Sequence, residues 1–165
     1  MLFRSWRVAL LPHLGEQELY KEFHLDEPWD GPHNKKLIER MPAIFACTIE
    51  GLPSGSTRYL AAQGPGAMFD EGKGRSLTDV TDGISNTILL LEVDESLAVP
   101  WTKPDDYTYD PAAPLKGLIS PHDAGLLILT ADGAAHFLQQ PLDPMRLAAL
   151  FTRSGGEKIP PGTLK

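Results

Sequence analysis

The sequence predicts an α+β fold: short helices first, a mostly antiparallel sheet in the middle, and a closing helix. Three observations carry that expectation. Apolar residues recur at helical spacing before Pro42 and again after Asp143, while the stretch between them holds short, turn-bounded apolar runs. An Asp-Gly pair, Asp132-Gly133, separates two of those runs. Glycine and proline number fifteen each, above ordinary use of roughly 7% and 5%, which favours short strands and ordered loops over a helical bundle.

In chain order, Leu10, Leu11, Leu14, Leu19 and Phe23 predict a helix from about Ser5 to Phe23, interrupted at Pro12. Proline inside a helix costs about 3 kcal/mol, so a kink or two shorter pieces is expected. A second helix is predicted from Pro32, with Gly31 as its cap, turning Leu37, Ile38 and Met41 inward and ending before Pro42. From Ile44 the period changes. Ile44 to Thr48, Tyr59 to Gln63 and Thr87 to Val93 read as strands. Ile88-Leu89-Leu90-Leu91 lacks polar alternation and predicts a central strand covered on both faces. Asp82-Gly83-Ile84-Ser85-Asn86-Thr87 leads into that strand and is rich in side chains that bond their own backbone, so it is expected to cap the strand and fix its register.

Leu126 to Ala131 and Ala134 to Leu138 flank Asp132-Gly133 and predict a type I′ hairpin with both turn residues at positive φ. Asp143-Pro144 then reads as a cap followed by proline in the first helical turn. Leu147, Leu150 and Phe151 form the apolar stripe, with Gly155 or Gly156 as the stop. Three Gly- or Pro-rich loops remain: Gly51 to Ser56, Gly64 to Arg75 and Ala98 to Gly117. The last holds Trp101, Pro104, Tyr107, Tyr109, Pro111 and Pro114, so aromatic packing is expected to pin it.

At 165 residues the chain suits one domain, 1–165. A net charge of −7 and scattered cations argue against nucleic acid as a partner. No apolar stretch reaches the ~18 residues of a membrane-spanning helix, and no signal peptide is read in the chain as given. Cys47, the single cysteine, excludes an internal disulfide; within Ala43-Ile44-Phe45-Ala46-Cys47 it reads as a buried small hydrophobe.

Candidate chemistry is thin. Gly72-Lys73-Gly74-Arg75-Ser76 lacks the spacing of a phosphate loop and reads as a solvated turn. His13, His24, His33, His122 and His136 show no zinc-site spacing, and the first three fall on separate local elements; His122 and His136 flank one hairpin and read as loop-bonding residues. Ser120-Pro121-His122-Asp123 puts triad residue types side by side, where they do not face one another. An enzyme would need His122 or His136 to meet a carboxylate and a nucleophile in an open cleft. Glu92, Asp94, Glu95, Asp105 and Asp106 are the oxygen ligands a calcium site would draw on, although water-facing carboxylates are the preferred reading. Neither cofactor nor catalytic residue is assigned.

Several segments resemble a known family in collinear order from about Ser5 to Glu157. They are Ser5-Trp6-Arg7-Val8 with Leu11-Pro12, Pro28-Trp29-Asp30 with Pro32-His33-Asn34, Asp82-Gly83 with Ser85-Asn86-Thr87, Val99-Pro100-Trp101-Thr102-Lys103-Pro104, and His122 with Asp132-Gly133. The chain resembles the planctomycete pseudopilin-like family of unknown function labelled by a His-x9-Asp-Gly signature. That resemblance implies a pilin-like head without established enzyme activity, acting by protein–protein contact in a secretion-type or cell-surface assembly. It marks His122, Asp132, Gly133, Asp82, Gly83, Asn86, Trp101 and Pro104 as signature or structural residues. Typical members begin with a prepilin-type site and a hydrophobic anchoring helix, neither of which stands in this sequence; Cys47-Thr48 also departs from a Cys-Pro-Ser found there. A periplasmic or surface location is expected if such a helix was removed, and a cytoplasmic one if Met1 is the native start. The alternative is a ligand-binding module that offers Trp101, Tyr107 and Tyr109 as stacking faces for a carbohydrate or peptide.

Overall fold

Pro12 breaks the first helix where the sequence predicts a break. The computed structural model describes residues 5–47, 51–70, 75–118, 124–157, 159 and 164. Helix α1 spans Trp6–Leu10, its start capped by Ser5, whose Oγ accepts from the Arg7 amide. Leu11–Leu14 continues as a tight 3₁₀ turn with Pro12 in its first turn, and α2 follows over Gln17–Glu22. The second predicted helix is a 3₁₀ segment, Asn34–Arg40, starting two residues beyond Pro32 and ending before Pro42. Leu37 is buried, while Ile38 and Met41 are half-buried. The remaining elements are β1 Ser56–Thr57, β2 Tyr59–Gln63, β3 Ile88–Glu92, β4 Val99–Pro100, β5 Tyr107–Thr108, β6 Gly125–Thr130, β7 Ala135–Gln139 and α3 Pro144–Phe151. A few short helices with mostly antiparallel strands and a C-terminal helix make an α+β fold.

The strand expected over Ile44 to Thr48 does not form. Ala43–Phe45 is a 3₁₀ turn, closed by Phe45 N–H to the Pro42 carbonyl and Ala46 N–H to the Ala43 carbonyl. Pro42 brings a fixed φ and no amide donor, which favours a turn over a ladder. The turn leaves Ile44 60% exposed and buries Phe45. Thr48 lies outside the described residues.

Contacts group the chain into two compact units, the first Met1–Arg58 with Ala98–Asp105, the second Tyr59–Leu97 with Asp106–Lys165. In the first, Val8, Leu11, Leu19, Phe23, Leu37 and Phe45 surround Trp101, which is wholly buried. Phe23 meets the indole edge-on and Phe45 stacks on it, each 5.8 Å between centroids. The indole Nε1–H donates to the Ile38 carbonyl at 3.0 Å, the Ser5 hydroxyl donates to the Trp101 carbonyl at 3.1 Å, and the Trp101 amide donates to Gly55 O at 2.9 Å. Burying such a ring removes roughly 150–250 Å2 from water, about 4–6 kcal/mol at ~25 cal/mol per Å2. Gly55 is required here: φ is +74°, and a Cβ would sit 2.5 Å from the Ile38 carbonyl oxygen. β1 and β4 pair antiparallel beside it.

The second unit is a five-stranded sheet in the order β5-β2-β3-β6-β7. All pairings are antiparallel except β2 with β5. β3 holds the centre, as its apolar run predicts, but it is not covered on both faces: Ile88 and Leu91 are buried, Leu89 and Leu90 only half so. Helix α3 starts as expected, with Asp143 Oδ1 accepting from the amides of Met145 and Arg146. It buries Leu147, Leu150 and Phe151. It ends at Phe151, before the predicted glycine stop, with Thr152 extended. No helix among the described residues is long and apolar enough to cross a membrane.

Candidate functional site

Most of the residues marked by sequence go into holding the fold. In the second unit, Asp82 to Asn86 and the Asp132 turn meet. Asn86 Nδ2 donates to the Asp82 carbonyl, the Thr87 hydroxyl donates to the Gly83 carbonyl, and Gly83 takes φ +99°. The Asp82 carboxylate accepts from the amides of Gly155 and Gly156 at 2.6 and 3.0 Å, while the amides of Thr81 and Asp82 donate to the Arg153 carbonyl. The segment thus anchors the chain after α3 as well as leading into β3, a task its local pattern did not announce.

The hairpin differs from the predicted type I′ form. Gly133 N–H donates to Thr130 O, and Thr130 N–H to Ala134 O, so the loop is Ala131-Asp132-Gly133, its glycine at positive φ, +85°. A three-residue loop of this kind places its glycine in the left-handed position after a four-residue turn. Asp132 Oδ1 accepts from the Thr130 hydroxyl at 2.6 Å and the Ala134 amide at 3.1 Å. Those bonds, the Thr130 hydroxyl first, then the Ala134 amide and the Ser85 hydroxyl, hold its pKa down to about 2. The Ala131 and Asp132 amides donate to the carbonyls of Thr87 and Ile84, tying turn to turn. His122 lies outside the described residues; His136 sits half-buried on β7, paired with Ile128.

The aromatic loop is pinned by packing, as expected, and this removes the stacking faces proposed for a ligand. Trp101 is enclosed in the first unit, with Pro104 half-buried three residues on. In the second unit Tyr109 stacks on Phe151 at 4.2 Å, Tyr107 lies 5.9 Å from the same ring, and both tyrosines are buried. The Tyr107 hydroxyl donates to the Lys116 carbonyl. Burial, with Asp110 and Tyr109 adding to it, pushes its pKa up to about 12; burial, then Glu157 and Asp110, raises that of Tyr109.

The carboxylates that a calcium site would draw on do not assemble among the described residues, where no three His, Cys, Asp or Glu side chains come together as metal ligands. Asp106 Oδ1 instead accepts from the Ala61 amide, Asp94 Oδ1 from the Ser96 amide, and Asp105 pairs with Lys103. Arg75 pairs with Asp70, while Gly72 to Gly74 lie outside the described residues. Cys47 is half-buried rather than enclosed. His24 and His33, expected on separate elements, stack face to face at 3.6 Å. Asn34 draws them together: its Oδ1 accepts from the His24 amide, and its Nδ2 donates to the carbonyls of His24, Glu27 and Pro28. Pro28, Gly31 and Pro32 between the two histidines are the local hint of the return. Stacked parallel rings aim their nitrogens side by side, so they do not converge on one metal. A recess between Ser5, Val8, Phe23, Trp29, Asn34 and Thr102 holds about 20 Å3, room for water rather than an organic ligand. The Thr102 hydroxyl is buried there without a hydrogen-bond partner.

What remains open is an edge. β7 is the outer strand of the sheet and carries no charged residue. Ala135, Phe137 and Gln139 are exposed, Phe137 by 47%, and Phe137 stands beside half-buried Leu127 on β6. Sequence alone predicts the hairpin but not which arm faces outward, because that depends on strand order.

Comparison with known proteins adds one finding. Residues 3–56 match the model of a family described as a protein of unknown function (DUF1559). That segment is similar to this family. The match covers less than half of the chain and ends within β1. No curated protein and no solved structure matches the chain.

Proposed function

We propose that this chain is a non-enzymatic, pseudopilin-like contact domain that docks onto other proteins of a secretion-type or cell-surface assembly through the β7 edge. The observation that carries the reading is the uncharged outer strand with Phe137 at its middle. Natural sheet edges are usually blunted by charge, proline or a bulge, since a bare row of backbone groups invites another strand. β7 carries none of these guards within Ala135–Gln139. The signature residues support the same reading, because Asp82, Asn86 and Asp132 spend their side chains on backbone groups of the fold. The finer, pseudopilin-like part of the proposal rests on the collinear motifs and on the family match over residues 3–56.

A photo-cross-linking residue placed at position 137 in cells tests it. Discrete protein adducts are expected at 137 and not at exposed Ser154. Equal labelling at both positions, or none at 137, sinks the reading.

A further inference from the structure

We propose that the β7 edge pairs with the β7 edge of a second copy of this chain, antiparallel and centred on Phe137. This inference rests on the contact reading above and names the partner. The ladder fixes the geometry. Thr130 N–H to Ala134 O at one end and Gln140 N–H to Ala124 O at the other set the alternation of the hairpin. His136 and Leu138 therefore direct their backbone groups toward β6, and Ala135, Phe137 and Gln139 direct theirs outward. No strand covers that side among the described residues.

The outward trio is symmetric about its middle member. A two-fold axis through Phe137 sets Phe137 against Phe137 of the copy and Ala135 against its Gln139. Every outward amide and carbonyl then meets a partner in one ladder, the self-complementary patch that a two-fold interface requires. The apolar row Leu127–Phe137 continues across the axis into its own copy. Charge favours the same register. The chain carries a net −7, so two copies repel overall, and a contact free of carboxylates adds least to that repulsion. Here β7 is neutral, Asp132 falls opposite Leu142, Asp143 falls opposite Ala131, and Pro141 ends the ladder. The opposite edge is a poor rival, because β5 is only two residues long. A five-residue ladder falls below the ~1,000 Å2 of a lasting interface, so the dimer is concentration-dependent.

Sedimentation velocity from micromolar to millimolar protein tests this with a charge swap. The wild-type chain is expected to shift toward dimer, and F137K and F137E each to stay monomeric at the same concentrations. An equimolar mixture of the two variants is expected to recover the dimer, because only self-pairing in this register sets Lys against Glu. A wild-type chain that stays monomeric overturns the inference, as does a mixture that stays monomeric while the wild type dimerises. Amide exchange on the wild type needs no variant: the amides of Ala135, Phe137 and Gln139 should slow as concentration rises, and unchanged rates are fatal. A monomer that still cross-links to other proteins from position 137 removes the second copy but keeps the contact reading; loss of both removes each.

Discussion

The two units hold themselves together by different means. Among the described residues the first has little ladder, the pairing of Ser56 and Thr57 with Pro100 and Val99. It relies on single side chains with many tasks: Trp101 fills the core and makes three hydrogen bonds, and Asn34 makes four. The second spreads its stability over paired strands, where one side chain matters less. Stability concentrated in a few groups yields large, local effects of mutation, and stability spread along a ladder yields small ones.

Trp101→Ala should break the comparison hardest. It opens a cavity between Phe23 and Phe45 and strips the Ile38 carbonyl of its donor, a loss of about 3–5 kcal/mol in denaturant unfolding. Asn34→Ala comes next. The His24 amide and three loop carbonyls lose their partner, and about 2 kcal/mol is expected, with the His24–His33 stack lost from the NMR spectrum. In the second unit Gly133→Ala meets nothing within 4 Å, so only the left-handed backbone is penalised, by about 1 kcal/mol. If Gly133→Ala matches Trp101→Ala in cost, the contrast between concentrated and distributed stability fails.

The smallest effect is one of pH. The Asp132 pKa is depressed to about 2 in the fold, so its contribution is complete above the ordinary carboxylate value near 4. It is lost as pH falls from there through about 2. Thermal melts at pH 5 and pH 2 should differ less for Asp132→Asn than for the wild type. An unchanged difference would mean that the turn bonds leave Asp132 untouched by folding.

Legibility followed the range of the interactions. The Asp143-Pro144 cap, the break at Pro12 and the β3 run were readable because each is decided by neighbours a few residues apart. Ile44 to Cys47 is ambiguous in sequence because an apolar run looks alike in a turn and a strand, and Pro42 favours the turn. The hairpin's position is legible from Asp132-Gly133, but its three-residue loop is set by the backbone bonds from Gly133 to Thr130 and from Thr130 to Ala134, which the pair alone does not specify. The covering of Trp101, Tyr107 and Tyr109 was not legible for a long-range reason: the rings that pack on them, Phe23, Phe45 and Phe151, come from distant segments. The open side of β7 was invisible for the same reason.

The Ser5–Trp101 bond spans 96 residues, and this bears on how the chain emerges during synthesis. Phe23 and Phe45 leave the ribosome early and remain without their central ring until Trp101 follows. The first unit begins first but cannot close until β2 and β3 of the other have emerged, since its last strand, β4, follows them in the chain. A fragment ending at residue 56 would carry the whole family match and still lack Trp101. It should behave as an open, exchange-labile chain, because the ring that closes its core is missing.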